Sequence, residues 1–282
     1  MWGNSHLTCL LAGVSGNRLL VWGGSIVMVI TLLALIGAFT TPRDPQAMNI
    51  SLRARPPSLS FPLGTDQYGR DILSRVMRGT SIALSVGLVA VGIGLAAGVP
   101  IGVIAGFYGG WLGEALMRIM DALFAFPAIL LAIAVVGVLG PGHVNAMLAI
   151  GAVNVPIFAR LTRASVLALR EEGYVEAARA AGSNDLYIAY KHILPNGLAP
   201  ILVQASVTFA TSILAEASLS YLGLGAQPPL PSWGKMLEEA RGFMDRAPWL
   251  AIFPGLAIAI TVLGFNFLGD GLRDFLDPRG RR

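Results

Sequence analysis

Six long apolar runs, separated by polar connections, alternate along this sequence. The hydrocarbon core of a bilayer requires about 20 residues of helix. Backbone polar groups in lipid must be satisfied within the same segment, so such runs form helices. The sequence therefore predicts an all-α, polytopic membrane protein with six transmembrane helices, at 19–39, 82–107, 119–139, 144–159, 198–222 and 250–268.

The composition agrees with a membrane protein. Of the 282 residues, 55% are hydrophobic and only 13% charged, whereas soluble domains carry about a quarter charged residues. The net charge of +4 suits contact with the lipid bilayer, but the arginines are dispersed between apolar runs, so nucleic acid is not expected as a partner. The single Cys9 rules out a disulfide within the chain. His6, His143 and His192 lack metal-ligand spacing, so no metal site is predicted.

The connection at 40–80 is polar and rich in proline. From Arg70 to Gly79, apolar residues such as Ile72 and Val76 would share one helix face, and arginines such as Arg75 the other. That pattern predicts a short amphipathic helix in the membrane interface. The alternative is an ordinary solvated loop.

Four glycines in the second apolar run recur at a spacing of four and fall along one helix face. Missing side chains on that face allow another helix to approach closely. We interpret the row as a helix-packing seam. The alternative is a generally glycine-rich membrane helix. The four residues are Gly94, Gly98, Gly102 and Gly106.

The polar segment at about 160–196 lies between two apolar runs and must therefore face water. Its sequence favours a helix over 162–181, a turn at Gly182 and a second short helix over 186–192, ending before Pro195. Alanines would give this elbow a small-residue face able to fit a groove. The alternative is a solvated connector.

No nucleophile–base constellation is present, so the chain is not expected to be an enzyme. The ionisable residues Asp121 and Glu216 fall near the ends of apolar runs, where a helix-end role is expected rather than a proton relay. The P-loop pattern GxxxxGK[ST] is absent. If the protein is a pump, its energy must come from a partner.

Orientation is not settled by charge. Six spans place both termini on the same side of the membrane. A cytoplasmic N-terminus would put 11 Lys and Arg residues inside and 9 outside, a weak bias under the positive-inside rule.

Three motifs carry a family resemblance that extends over nearly the whole chain. Glu176-Ala177-Ala178 and Gly182, followed by Ile193-Leu194-Pro195, resemble the EAA loop of ABC-importer permeases. Two further segments resemble the C-type permease subunit of dipeptide, oligopeptide and nickel importers. These are PLGTDQYGRDILSR at 62–75, and EASLSYLGLG at 216–225 with PSWG at 231–234.

The resemblance implies a type I ABC-importer (MetI-like) permease core of five helices plus an N-terminal helix. Residues 1–80 would hold a cytoplasmic tail, the first helix and the outer loop. Residues 81–270 would form the core, with the coupling loop at 160–196, and 271–282 a second cytoplasmic tail. A cytoplasmic EAA loop places both termini in the cytoplasm of a bacterium whose inner membrane the chain spans.

The resemblance also implies partners. These are a sister permease (B-type) in a heterodimer, two ABC ATPase subunits and an extracytoplasmic solute-binding protein. This chain would hold no cofactor, because ATP and Mg would be bound by the ATPase subunits. The EAA residues Glu176, Ala177, Ala178, Gly182, Ile193, Leu194 and Pro195 would couple the chain to an ATPase.

The function implied is that of a permease subunit forming half of the translocation pathway for short peptides. Importers of nickel or metal chelates share the same permease motifs and remain the alternative. An autonomous secondary transporter or channel should show ionisable residues at mid-span or an internal repeat, and neither is found. A membrane scaffold or enzyme is disfavoured by the missing catalytic constellation. No substrate-binding residue is identified from the sequence.

Overall fold

The computed structural model describes residues 17–276, and within them the chain is helical apart from turns, connecting segments and one isolated bridge between Thr65 and Asp71. Cys9, His6 and the arginines after residue 276 lie outside the described residues. The helices are α1 (Arg18–Phe39), α2 (Ile72–Phe107), α3 (Gly110–Phe124), α4 (Ala128–Leu139), α5 (His143–Leu169), α6 (Gly173–Ala180), α7 (Asp185–Ile188), α8 (Leu194–Asn196), α9 (Leu198–Tyr221), α10 (Trp233–Ala240) and α11 (Trp249–Leu276).

Five helices, α1, α2, α5, α9 and α11, are long and apolar enough to cross a membrane, which confirms five of the predicted spans. The remaining span is broken. Helices α3 and α4 together pass the same test but are bent by 91° at a short break. Pro127 precedes α4 at this break, where its ring disfavours helical geometry in the residue before it. The segment predicted as one span over 119–139 therefore consists of two helices that meet at a sharp bend.

Helix α2 begins earlier than predicted. Asp71 caps it by accepting a hydrogen bond from Ser74 N at 3.0 Å, and the helix then continues for 36 residues. The prediction of a separate amphipathic helix over Arg70–Gly79 was wrong, because these residues lead directly into α2. The predicted domain boundary at residue 80 falls inside α2. Arg75, expected on a polar face, is buried.

Helix α5 ends later than predicted, at Leu169 rather than near residue 159. Thr162 and Val166 in the added turns are buried. Arg160 pairs with Asp121 of α3 at 2.6 Å. The polar segment predicted to begin at 160 therefore begins at 170, because tertiary contacts draw the intervening turns into the bundle.

Helix α1 lies antiparallel to α11 and to the start of α2. Asn17 Nδ2 donates to Gly271 O at 3.2 Å, and a Cβ at Gly23 would come within 2.3 Å of Leu268 N. At the other end of α1, a Cβ at Gly37 would come within 2.4 Å of Met77 O. The N-terminal helix is thus packed against the bundle through positions where only glycine fits.

Candidate functional site

A compact helical elbow, residues 170–197, stands at one end of the bundle. Its first limb is α6, which ends in a left-handed Gly182 with φ +81°. Ser183 N donates to Ala178 O at 3.1 Å and Gly182 N to Arg179 O at 2.9 Å. This is the Schellman pattern that closes a helix and reverses the chain.

The second limb is longer than predicted. Asn184 caps α7 by accepting from Tyr187 N at 2.8 Å. The path then continues through a π-helical turn, Ala189–Ile193, into α8. The prediction that the second helix ends before Pro195 was wrong, because this proline lies in the first turn of α8. Backbone N–H groups in a first turn have no partner within the helix, so proline is tolerated there.

The elbow is attached to the bundle by a buried apolar cluster. Val175, Ile188 and Ile193 are at most 1% exposed and pack with Phe107 of α2 and Val166 of α5. Close packing of this kind transmits displacement rather than absorbing it. The elbow is therefore fixed to the ends of α2 and α5 by a packed apolar core.

The opposite face of the elbow is open to solvent. Of the residues identified from the sequence, Ile193 is buried and Ala178 and Leu194 are half-buried, while the rest are exposed: Glu176, Ala177, Gly182 and Pro195. Large side chains that sequence reasoning did not identify are also exposed on the elbow, with Leu186 at 70% and Tyr190 at 75%. The solvent-exposed surface of the elbow thus includes a tyrosine, a residue type enriched among the anchors of protein interfaces.

The four glycines of α2 all face α5. A Cβ at Gly94 would come within 2.8 Å of the Phe158 ring, and one at Gly98 within 2.6 Å of Val155 O. At Gly102 the nearest atom is Ala159 O, at 2.5 Å. Gly106 faces Val166 in the same way.

A buried charge cluster lies at the other end of α2, and sequence reasoning missed it. The carboxylate of Glu239 in α10 accepts from Arg70 Nη2 at 2.6 Å and from Arg75 Nη2 at 3.0 Å. Asp66 pairs with the Nε of both arginines. We call these four residues the charged cap. Asp66, Arg70 and Arg75 are close in the sequence, so their grouping could have been predicted. Glu239 is 164 residues away from Arg75, so the sequence does not show that it pairs with them.

Glu216 of α9, expected towards the end of an apolar run, is one of the most buried side chains, at 1% exposure. Ser220 Oγ donates to its carboxylate at 2.6 Å and accepts from Ala226 N at 3.0 Å. Asn154 Nδ2 of α5 donates to Ser212 Oγ of α9 at 3.1 Å. These polar groups form hydrogen bonds within the bundle, and the bond from Asn154 to Ser212 joins α5 to α9.

Within residues 17–276, no group of three or more His, Cys, Asp or Glu side chains is arranged to hold a metal ion.

Two solved structures share this fold. A chain of the inward-facing MetNI methionine ABC transporter superposes with a TM-score of 0.61 at 21% identity, over 73% of this chain and 98% of that chain. A second crystal form of MetNI, soaked with selenomethionine, gives 0.60 at 22% identity over the same shares. The fold is therefore that of a type I ABC-importer permease.

The chain belongs to the family of binding-protein-dependent transport system inner membrane components, whose model matches residues 98–282. It is 49% identical over 263 residues to the dipeptide transport system permease of Alkalihalophilus pseudofirmus, covering 93% of this chain and 86% of the relative. It is 47% identical to the glutathione transport system permease of Pectobacterium atrosepticum, over 92% of this chain and 86% of the relative. A di/tripeptide transport permease of Pseudomonas aeruginosa is 42% identical, over 93% and 89%.

Proposed function

We propose that this chain forms half of the translocation pathway of an ATP-driven importer of short peptides. The three relatives described above are named for dipeptides, di- and tripeptides, and glutathione. Those substrates share a length of two or three residues and a free carboxylate. A sister permease would form the other half of the pathway, and a solute-binding protein outside the membrane would deliver the peptide.

The observation that carries the coupling proposal is the two-sided elbow. One face is packed on α2 and α5 through Val175, Ile188 and Ile193, and the other presents Glu176 and Ala177 to solvent. An ATPase subunit that holds the exposed face would move the bundle through the buried one. ATP and Mg would be bound by that subunit. This is rigid-body transmission between two states of a packed assembly.

The coupling proposal is tested by filling the exposed face. We expect Ala177→Trp to abolish ATP-dependent peptide uptake in proteoliposomes containing the whole complex, because the bulky ring would block a fitted groove. Ala177→Ser preserves the small size and should transport like the wild type. Full transport by Ala177→Trp would contradict docking through this face.

The substrate class needs a separate experiment on the same proteoliposomes. ATP hydrolysis should rise when the solute-binding protein is added with a dipeptide, and not when it is added with nickel alone. The opposite response would favour the nickel or metal-chelate importer. Uptake by this chain without any ATPase subunit would instead indicate an autonomous transporter.

A further inference from the structure

Two cavities meet at the end of α1 and differ sharply in their chemistry. The first, of about 490 Å³, is an apolar crevice between α1 and α2 whose walls include Leu35, Leu84, Leu88, Phe209 and Phe265. The second, of about 270 Å³, is lined by polar residues of the following loop and by Arg78. Ala38 lines both cavities, so the two adjoin at this residue, and we call the pair the amphipathic groove.

The junction of the two cavities lies at the level of the lipid headgroups. Helix α1 has 22 residues, a length of about 33 Å, which is close to the roughly 30 Å of a hydrocarbon core. Arg78 Nη1 donates to the carbonyls of Gly37 and Ala38 in the last turn of α1. The apolar crevice therefore extends into the membrane from this arginine.

The polar cavity carries one charge of each sign. Arg78 uses Nη1 for the carbonyls of α1, and a guanidinium has five N–H donors. Its Nε and Nη2 make no hydrogen bond to the residues that the structure describes. Asp44 accepts from Gln46 N through Oδ1 at 2.8 Å, and Oδ2 has no partner among the same residues. Arg78 and the solvent-exposed Asp44 thus both line one small space, each with polar atoms that the described residues leave without a hydrogen bond.

We propose that this groove binds a phosphatidylethanolamine molecule, with its phosphate at Arg78, its ammonium at Asp44 and one acyl chain in the crevice. A zwitterionic headgroup satisfies both charges at once. A free phosphate would leave Asp44 unpaired and the crevice empty. An acyl chain gains by burial along apolar walls that an aqueous anion cannot use.

The groove depends on parts of the chain outside the segment matched by the family model, which begins at residue 98. Helix α1, the loop after it and the first half of α2 supply most of its walls, and α9 and α11 contribute only Phe209 and Phe265. These two rings stack with centroids 4.1 Å apart and close the crevice on the bundle side. The lipid would thus fill the space between the N-terminal helix and the core.

The test compares lipid retained by the purified complex in native mass spectrometry, after reconstitution with equal phosphatidylethanolamine and phosphatidylglycerol. The wild type should retain one more phosphatidylethanolamine than Ala38→Trp, in which a bulky ring blocks the junction of the cavities. Leu32→Trp adds the same ring to an exposed position of α1 that lines neither cavity and should retain lipid like the wild type.

The headgroup assignment has its own measurement. Asp44→Asn should reduce the preference for phosphatidylethanolamine over phosphatidylglycerol from about fivefold to about equal, the size expected for one exposed ion pair. An unchanged preference would overturn the role of Asp44. Equal lipid retention by Ala38→Trp and the wild type would overturn the site. A photoreactive residue at Leu88 should label lipid, and labelling of the sister subunit would also overturn the proposal.

Discussion

At the residue scale, the backbone conformation at position 182 favours glycine, whereas close packing does not require it. Its φ of +81° lies in the left-handed region, yet no atom would stand within 4 Å of an added Cβ. The residue needed here is therefore one that tolerates the left-handed conformation. Asparagine does so more readily than other side chains, and β-branched residues do so least.

We therefore expect Gly182→Val to loosen the elbow by about 1–2 kcal/mol, because it strains the turn between α6 and α7. ATP hydrolysis should then proceed with little peptide uptake, while membrane insertion stays normal. Gly182→Asn is the matched control and should preserve most of the uptake. Comparable uptake by the two variants would show that the left-handed turn is not needed for coupling.

The charged cap supports a second prediction at this scale. Glu239 is 13% exposed and is shared by two buried arginines, so Glu239→Ala leaves two cations without that carboxylate. Breaking a buried pair typically destabilises a protein by about 3–5 kcal/mol. Thermal unfolding of the purified chain in detergent should detect this loss.

The neighbouring residue provides the control for that experiment. Glu238 pairs with Lys235 at 2.7 Å, but its side chain is 40% exposed. Glu238→Ala should change the free energy of unfolding by less than about 1 kcal/mol. Equal destabilisation by both substitutions would mean that burial of the cap does not determine its contribution.

At the scale of elements, the contact between α2 and α5 depends on glycines that admit the facing backbone. A Cβ at Gly98 would come within 2.6 Å of a backbone carbonyl, which cannot move as a flexible side chain could. Gly92 lies on the same helix and has nothing within 4 Å. Alanine substitutions at these two positions therefore distinguish the effect of helix packing on stability from the effect of helix propensity.

We expect Gly98→Ala to destabilise the chain by about 1–3 kcal/mol through overpacking of the two helices. Gly92→Ala should be neutral or stabilising by up to about 1 kcal/mol, because alanine favours the helix more than glycine does. The midpoints of thermal unfolding in lipid nanodiscs would measure both effects. A larger loss for Gly92→Ala would contradict the assigned packing face.

At the scale of the whole molecule, the elbow and the charged cap lie at opposite ends of α2. This helix has 36 residues, a length of about 54 Å, which exceeds the roughly 40–45 Å of a whole bilayer. The elbow therefore faces one side of the membrane and the loops that carry the charged cap face the other. We place the elbow in the cytoplasm as part of the proposed function.

This orientation predicts opposite labelling of two exposed positions. In a Cys9→Ser chain produced without the ATPase subunits, Leu59→Cys in the loop after α1 should react with a membrane-impermeant maleimide in intact spheroplasts. Leu186→Cys in the elbow should react only after permeabilisation. Their side chains are 105% and 70% exposed, so access is set by the membrane and not by burial. The reversed pattern would place the elbow outside the cell.

The predictions that succeeded from the sequence were those that depend on local properties. Apolar length identified α1 and α9 closely, because a bilayer imposes the same requirement on every crossing segment. It placed the start of α11 correctly, but the helix continues to Leu276, beyond the predicted end at 268 and into the predicted tail at 271–282. The turn at Gly182 was also identified, since a glycine after a helix-favouring stretch carries its own conformational signal. Motif resemblance correctly indicated the permease family.

The sequence alone thus determined that the chain crosses a membrane in helices, where its main polar elbow turns, and which family it belongs to. Only the tertiary structure decided that α5 continues to Leu169, that Arg75 is buried against Glu239 and that Glu216 lies inside the bundle. The physical reason is that other elements of the folded chain decide which residues are buried. Val166 in the added turns of α5 packs with Val175 and Ile188 of the elbow. Arg75 is stable in the interior because Glu239 of α10 satisfies its charge.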